Sequence, residues 1–138
     1  MFEKLKAIKV STVMTQPVVC SSADTSARDI LEKLNSSGFS GMPICEENIV
    51  LGIVSEKDIM QLLLQGKSLS STFASEFMTR DVITADQNCY MLSVVKSFID
   101  NQILRLPITD QGKLVGIITR HDLLKFILDA TPEFSLVP

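Results

Sequence analysis

The stretch Gly52-Ile53-Val54-Ser55-Glu56-Lys57-Asp58 occurs twice in this chain of 138 residues. It returns as Gly116-Ile117-Ile118-Thr119-Arg120-His121-Asp122, a shift of 64 positions that keeps the apolar, hydroxyl and carboxylate positions. The same shift relates further pairs without a gap: Met14/Met78, Thr15/Thr79, Val18/Val82, Val19/Ile83, Ile30/Val94, Leu34/Phe98, Pro43/Pro107 and Ile44/Ile108. A match in one register over this length indicates one structural unit copied in tandem.

The composition is that of a globular protein, with 46% apolar and 21% charged residues. The net charge is −3, and the lysines and arginines are scattered, so we expect no nucleic-acid partner. No stretch approaches the ~20 apolar residues of a membrane span, and charges lie where a signal peptide would have its apolar core. We therefore expect a cytoplasmic protein without a membrane partner.

Catalytic and metal sites are not indicated by the sequence. Cys20, Cys45 and Cys89 are far apart along the chain and lack C-x-x-C spacing, so they are predicted to be small buried hydrophobes without a disulfide or zinc role. His121 is the only histidine, which argues against a triad or a zinc hydrolase. We expect no enzymatic activity, no catalytic residue and no metal site.

Each copy is predicted to form a strand, a helix, two strands and a second helix. In the first copy, residues 18–20 are predicted to form a strand, and the cap-rich residues 21–25 to start a helix that ends at Gly38. Two strands then flank the turn at residues 46–48, and Ser55 caps the second helix. In the second copy, the predicted elements are strands at 82–84, 106–108 and 114–118, a helix at 90–101 and a final helix.

The predicted domain boundaries follow the repeat. Residues 9–66 are the first copy, 67–72 a linker and 73–130 the second copy, with an N-terminal extension at 1–8 and a C-terminal tail at 131–138. Short helices are predicted at residues 72–77 and, by the same shift, at 9–13.

The repeated segment has the chemistry of a nucleotide site. A strand that runs directly into a helix offers free backbone N–H groups, a capping hydroxyl and the positive end of the helix dipole, which together favour a phosphate. Asp58 and Asp122 lie one turn into their helices, where a carboxylate suits a vicinal diol such as that of ribose. Lys57 and His121 add cationic contacts. The alternative is that the hydroxyl and the aspartate are simple helix caps.

The doubled h-P-h segment followed by G-h-h-(S/T)-x-x-D, in which h is an apolar residue, resembles a tandem pair of CBS (cystathionine-β-synthase) domains over residues 9–129. The resemblance implies an α/β fold, a CBS-domain pair of two β-α-β-β-α repeats packed with pseudo-twofold symmetry. It also implies two clefts between the repeats for adenosine-containing regulatory ligands such as AMP, ADP, ATP or S-adenosylmethionine, with no required cofactor.

The resemblance assigns ligand-binding residues to each cleft by position. The first cleft contains Ser55, Lys57, Asp58, Thr79, Val82, Ile103, Leu104 and Arg105. The second contains Thr119, His121, Asp122, Thr15, Val18, Phe39 and Ser40. Ile53 and Ile117 are expected to contact the adenine base of the ligand. Arg105 stands where the family often has a phosphate-binding cation, whereas the first copy has Gly41 at the equivalent position. We therefore expect the cleft of Asp58 and Arg105 to bind phosphate more tightly than the cleft of Asp122.

Two functions from different classes follow from these observations. The first is a regulatory module that binds an adenosine-containing ligand, forms a homodimer and signals to an effector protein in trans. The second is a ligand-free structural module whose apolar helices serve dimerisation. An accessory role on nucleic acid is disfavoured by the acidic charge balance.

Overall fold

The computed structural model describes residues 1–131. In chain order its elements are α1 (Phe2–Leu5), a 3-10 turn (Val10–Thr12), α2 (Ala27–Ser37), β1 (Gly41–Glu46), β2 (Ile49–Ser55), α3 (Glu56–Leu64), α4 (Ala74–Phe77), β3 (Ala85–Asp86), α5 (Met91–Asn101), β4 (Arg105–Asp110), β5 (Lys113–Thr119) and α6 (Arg120–Asp129). Among these residues, none of the helices combines the length and apolarity needed to cross a membrane.

The chain divides into two compact units that do not coincide with the two sequence copies. The central unit is Val19–Val82, and the terminal unit combines Met1–Val18 with the chain from Ile83 onward. The central unit therefore includes residues 73–82, which open the second copy. The terminal unit includes residues 9–18, which open the first copy. Each compact unit contains chain from both copies.

The central unit packs helices on an antiparallel hairpin. Strands β1 and β2 pair from Gly41↔Ser55 to Glu46↔Ile49, with an irregularity between Ile44 and Cys45. Helix α2 begins at the Ser26 cap and stops at Gly38, whose φ of 75° is a left-handed value that glycine adopts readily. The buried core of this unit consists of Ile30, Leu34, Met42, Ile44, Val54, Ile59, Ala74 and Met78.

The terminal unit repeats this plan with one more strand. Strand β3 pairs in parallel with β4, and β4 pairs antiparallel with β5. The register Ala85↔Ile108 is the counterpart, 64 positions on, of the isolated parallel bridge Ser21↔Ile44 in the central unit. The buried core consists of Leu5, Val10, Met91, Val94, Phe98, Leu106, Ile108, Ile118 and Leu123.

The first strand predicted in each copy is the main error of the sequence analysis. Residues 18–20 and 82–84 are not strands, because pairing begins only at Ser21 and at Ala85, where the chain reaches the neighbouring strand. The apolar residues before those points lie in half-exposed connecting segments. The predicted short helices exist as α4 and as the 3-10 turn, whereas the predicted tail beyond residue 131 lies outside the described residues.

Candidate functional site

The junction of β2 and α3 holds the first candidate site, in the central unit. Asp58 N–H donates to Ser55 Oγ over 3.3 Å, while Ser55 N–H and Ser55 Oγ donate to Asp58 Oδ2 over 2.8 and 3.0 Å. These reciprocal bonds form a capping box that fixes the start of α3. Both side chains are half-buried.

The junction of β5 and α6 repeats this geometry in the terminal unit. Asp122 N–H donates to Thr119 Oγ1 over 3.0 Å, and Thr119 N–H donates to Asp122 Oδ2 over 3.0 Å. The alternative considered from the sequence, that the hydroxyl and the aspartate cap the helix, is therefore part of the structure at both sites.

The helix starts offer fewer free N–H groups than the sequence predicts. Glu56 N–H donates to Ser40 O and Arg120 N–H donates to Leu104 O, each over 2.9 Å. The aspartate N–H groups are taken by the caps, so the expectation of several free donors for an anion is wrong. One oxygen of each carboxylate, Oδ1, accepts no hydrogen bond within residues 1–131, because the bonds made to Asp58 and Asp122 all end on Oδ2.

A threonine segment from the other sequence copy lies beside each junction. In the central unit, Thr79 and Ile53 exchange both backbone hydrogen bonds, each of 2.9 Å. In the terminal unit, Thr15 and Ile117 do the same over 2.8 and 3.1 Å. Both threonines are exposed, and both isoleucines are half-buried. The structure therefore brings Thr79 to the strand that ends in Ser55, and Thr15 to the strand that ends in Thr119.

Glycine makes this close approach feasible. A Cβ placed on Gly52 would lie 2.7 Å from Met78 Cγ and Sδ and 2.9 Å from the carbonyl oxygen of Thr79. A Cβ on Gly116 would collide with Met14 Sδ and lie 2.8 Å from Met14 Cγ. The repeated glycine thus gives the Met-Thr segment room to pair with the strand.

The segment before each h-P-h strand lies next to the helix cap of its own copy, whereas the resemblance groups it with the aspartate of the other copy, which stays a prediction. Hairpin pairing puts Arg105 directly opposite Thr119, and Gly41 opposite Ser55. The residues Ile103, Leu104 and Arg105 therefore lie in the unit of Thr119 and Asp122, and Phe39 and Ser40 lie in the unit of Ser55 and Asp58. The reason is topological, because the two strands of each hairpin belong to the same copy.

The other predicted site residues are distributed around the two junctions. Lys57 and His121 are exposed in the first turns of α3 and α6. Val82 is the last residue of the central unit, Val18 ends the first segment of the terminal unit, and both are half-buried.

Two arginines lie near the junctions, of which Arg120 is, with His121, a candidate from the sequence to replace the missing cation at Gly41, whereas Arg80 was not predicted. Arg80 follows Thr79, is exposed, and donates from Nη2 to Ser75 O over 2.7 Å. Arg120 is the first residue of α6 and is also exposed. The sequence signal for Arg80 is the 64-residue shift, which puts Gln16 at the equivalent position of the first copy; the counterpart of Arg120 is Glu56.

The comparison with known families identifies the chain. The family model described as "CBS domain" matches residues 10–65 and 74–129. The chain therefore belongs to the CBS domain family, and it has the α/β fold of a CBS-domain pair. The predictions of family and fold are confirmed.

Individual relatives show how far this similarity extends. An uncharacterized protein of Methanopyrus kandleri is 32% identical over 124 residues, which cover 88% of this chain and 63% of the relative. The inosine-5'-monophosphate dehydrogenase of Thermoplasma acidophilum is 29% identical over 124 residues, 88% of this chain but only 24% of the enzyme. The chain thus spans less than two thirds of the length of these relatives.

One similar solved structure contains ligands. The CBS domain pair of protein MJ0100, in complex with 5'-methylthioadenosine and S-adenosyl-L-methionine, superposes with a TM-score of 0.80 and 25% identity. The alignment covers 88% of this chain and 97% of that one.

Proposed function

We propose that this protein is a regulatory module that binds adenosine-containing ligands at the two strand-to-helix junctions. The observation that carries the proposal is that both junctions combine a half-buried aspartate, which keeps one carboxylate oxygen, with an exposed threonine held on the adjoining strand. A carboxylate oxygen in that position suits a ribose hydroxyl. The half-buried Ile53 and Ile117 offer apolar surface to a base.

Helix capping alone does not account for this arrangement. Helix α2 is also capped by a Ser-x-x-Asp sequence, in which Asp29 N–H donates to Ser26 Oγ over 3.1 Å. There the carboxylate is 63% exposed, and no Gly-x-x strand precedes the cap. Asp29 is therefore an acid at the same helix position, but its carboxylate belongs to no capping box and lacks the features that we assign to binding. It offers a control for the loss of an acid in the first turn of a helix.

The ligand class is supported by chemistry and by similarity. The MJ0100 domain pair is a complex with two adenosine derivatives, and we propose that this chain takes ligands of the same class, among AMP, ADP, ATP and S-adenosylmethionine. The proposed site residues fall into two sets, one in each compact unit. Ile53, Ser55, Lys57, Asp58, Thr79, Val82, Phe39 and Ser40 form the central site, and Ile117, Thr119, His121, Asp122, Thr15, Val18, Ile103, Leu104 and Arg105 form the terminal site.

The terminal site is the better candidate for a phosphorylated ligand. Arg105 stands opposite Thr119, and Arg120 begins the helix. In the central unit Gly41 and Glu56 occupy these two positions, which leaves Lys57 and Arg80 as cations. Since phosphate affinity follows local positive charge, we propose that ATP and AMP prefer the site of Asp122, which reverses the ranking from the sequence.

In this proposal the chain forms a cytoplasmic homodimer, and the homodimer regulates a separate effector protein. A ligand changes the output only if it binds two states of the module with different affinity. The dimer is supported by the exposed apolar side chains Met60, Leu63 and Leu64 on α3 and Leu124 and Leu128 on α6. Ile59 and Leu123, on the same two helices, are buried in the cores and do not belong to this exposed surface.

Calorimetric titration with AMP, ATP, S-adenosylmethionine and 5'-methylthioadenosine tests the binding proposal. We expect Asp58→Asn to weaken one site, and Asp122→Asn the other, by roughly tenfold or more, because hydrogen bonds to a charged group contribute about 1.5–3 kcal/mol. Both variants should fold, because a helix cap contributes only ~1 kcal/mol.

Asp29→Asn is the control, because it removes a first-turn acid at the same distance from a serine N-cap and should leave every affinity unchanged. Wild-type affinities in the Asp58 and Asp122 variants would refute the assigned residues. No heat and no thermal shift with any of the four ligands would favour the ligand-free structural module.

A further inference from the structure

Two of the three cysteines, 25 positions apart in the sequence, meet in the fold. Cys20 precedes the bridge residue Ser21, and Cys45 follows Ile44 on β1. Burial raises the pKa of the Cys45 thiol to about 12, and the next largest causes are the charge and a side-chain hydrogen bond of Cys20. Of the three cysteines expected to be small buried hydrophobes, Cys45 is buried, and Cys20 and Cys89 are half-buried.

The backbone around the two thiols is held on several sides. Ser21 N–H donates to Pro43 O over 3.2 Å, and Cys45 N–H donates to Ser21 O over 2.8 Å. Lys33 Nζ donates to Cys20 O over 3.3 Å and to Ser21 Oγ over 3.0 Å. The backbone bonds hold Ser21 against β1 and the Lys33 bonds hold residues 20–21 to α2, so Cys20 and Cys45 stay neighbours in the folded unit.

The fold itself does not require cysteine at either position. In the terminal unit, 64 residues on, the equivalent positions are Thr84 and Thr109, next to the same parallel register Ala85↔Ile108. The thiol pair is therefore a feature of the central unit alone. Within residues 1–131 there is also no cluster of three or more His, Cys, Asp or Glu side chains that would suit a metal ion.

We propose that Cys20 and Cys45 are a redox modification site that forms a reversible disulfide when the protein meets hydrogen peroxide. Cys20 is the more exposed of the two and reacts first: its sulfur attacks one peroxide oxygen, the O–O bond breaks, and Cys20 sulfenic acid and water form. The Cys45 sulfur then attacks the Cys20 sulfur, the S–O bond breaks, and a second water leaves with the thiol proton. In sum, two thiols lose two electrons and two protons, and one peroxide is reduced to two waters.

The disulfide would link the first residues of the central unit covalently to strand β1. The segment of residues 19–21 joins this unit to the preceding chain and is held to β1 by hydrogen bonds that can open. A covalent link between residues 20 and 45 closes a loop that contains all of α2 and restricts the unfolded chain. Oxidation should therefore raise the thermal midpoint of the chain, by about 5 °C.

Mass spectrometry of the full chain tests this proposal. The reduced protein is treated with a small excess of hydrogen peroxide, free thiols are trapped with iodoacetamide, and the intact mass and non-reduced tryptic peptides are measured. We expect one alkylated thiol instead of three, and a linked pair of peptides 10–28 and 34–57 that dithiothreitol separates. Peptide 81–96, which contains Cys89, should carry the alkyl group.

Matched variants complete the test. Cys20→Thr and Cys45→Thr introduce the residue found at the equivalent positions of the second copy, and either should abolish the linked peptides and the thermal shift. Cys89→Ser should leave both unchanged. The proposal is overturned by three alkylated thiols after oxidation, by sulfinic acid on Cys20 with Cys45 still free, or by a bond between two chains. If Cys45→Thr does not fold, the wild-type peptides and Cys20→Thr still decide the result.

Discussion

At the scale of single residues, glycine makes the clearest difference between the two junctions. A Cβ on Gly52 would have the backbone carbonyl of Thr79 among its three nearest atoms, whereas the three nearest atoms to a Cβ on Gly116 all belong to the Met14 side chain. A methionine side chain can change rotamer, but a paired backbone segment cannot move without losing hydrogen bonds. The two equivalent glycines are therefore not equally tolerant of substitution.

We predict that Gly52→Ala destabilises the chain by about 1–3 kcal/mol, the usual range for an overpacked site, and that Gly116→Ala costs less. Urea denaturation of the two variants measures this difference. Gly52→Ala should also weaken ligand binding at the central site, since it displaces Thr79. Equal losses of stability, or a larger loss for Gly116→Ala, would contradict the role given to the Thr79 carbonyl.

The capping residues show what a sequence can and cannot specify at this scale. The spacing of Ser55 and Asp58 predicted their contact, because positions N-cap and N3 of a helix are always close. The pairing of Arg105 with Thr119 was not predicted, because it depends on which strand pairs with which, and similarity by position does not state that. Likewise, the Cys20–Cys45 contact arises from a parallel bridge between distant segments, for which the sequence has no local signal.

At the scale of elements, helices were predicted well and the first strands were not. Helix α2 follows its apolar period from Ala27 to Leu34, and α5 covers Met91–Asn101, close to the predicted 90–101. Strand assignment depends on a partner, and β3 has only two residues. An apolar run such as residues 82–84 therefore resembles a strand in sequence without pairing as one.

Helix α3 carries the element-scale prediction for the proposed homodimer. Leu64 at its end is 89% exposed, so Leu64→Glu should not disturb the fold of a single chain. If α3 lies in a dimer interface, the buried charge should raise the dimer dissociation constant by roughly tenfold or more in sedimentation equilibrium.

Gln61→Glu adds the same charge to an exposed polar position of α3 and serves as the control. It should have a smaller effect. Identical behaviour of both variants and the wild type would exclude this face of α3 from any dimer.

At the scale of the whole molecule, the compact units and the sequence copies differ in their boundaries. The core of the central unit includes Ala74 and Met78, which belong to the second copy. The sequence predicted the copies because it records the repeat, but the compact units depend on which segments pack together. A fragment cut at the copy boundary therefore loses part of its core.

We predict that fragment 19–82 unfolds cooperatively, and that fragment 9–72, of equal length, does not. The second fragment contains the whole β1–β2 hairpin but lacks the segment that pairs with Ile53. A domain of about 60 residues has a small free energy of unfolding, so the loss of the core side chains Ala74 and Met78 should be enough to abolish cooperative unfolding. Circular dichroism during heating distinguishes the two. Equally cooperative curves would show that the second-copy segment is dispensable.

The exchange of opening segments also bears on ancestry. Before the duplication, the gene would have encoded a single copy. The Met-Thr segment beside the glycine of its hairpin then had to come either from the same molecule or from a second one. Two such molecules that swapped their opening segments would have satisfied both hairpins, and fusion of the two genes would then have preserved the swap within one polypeptide.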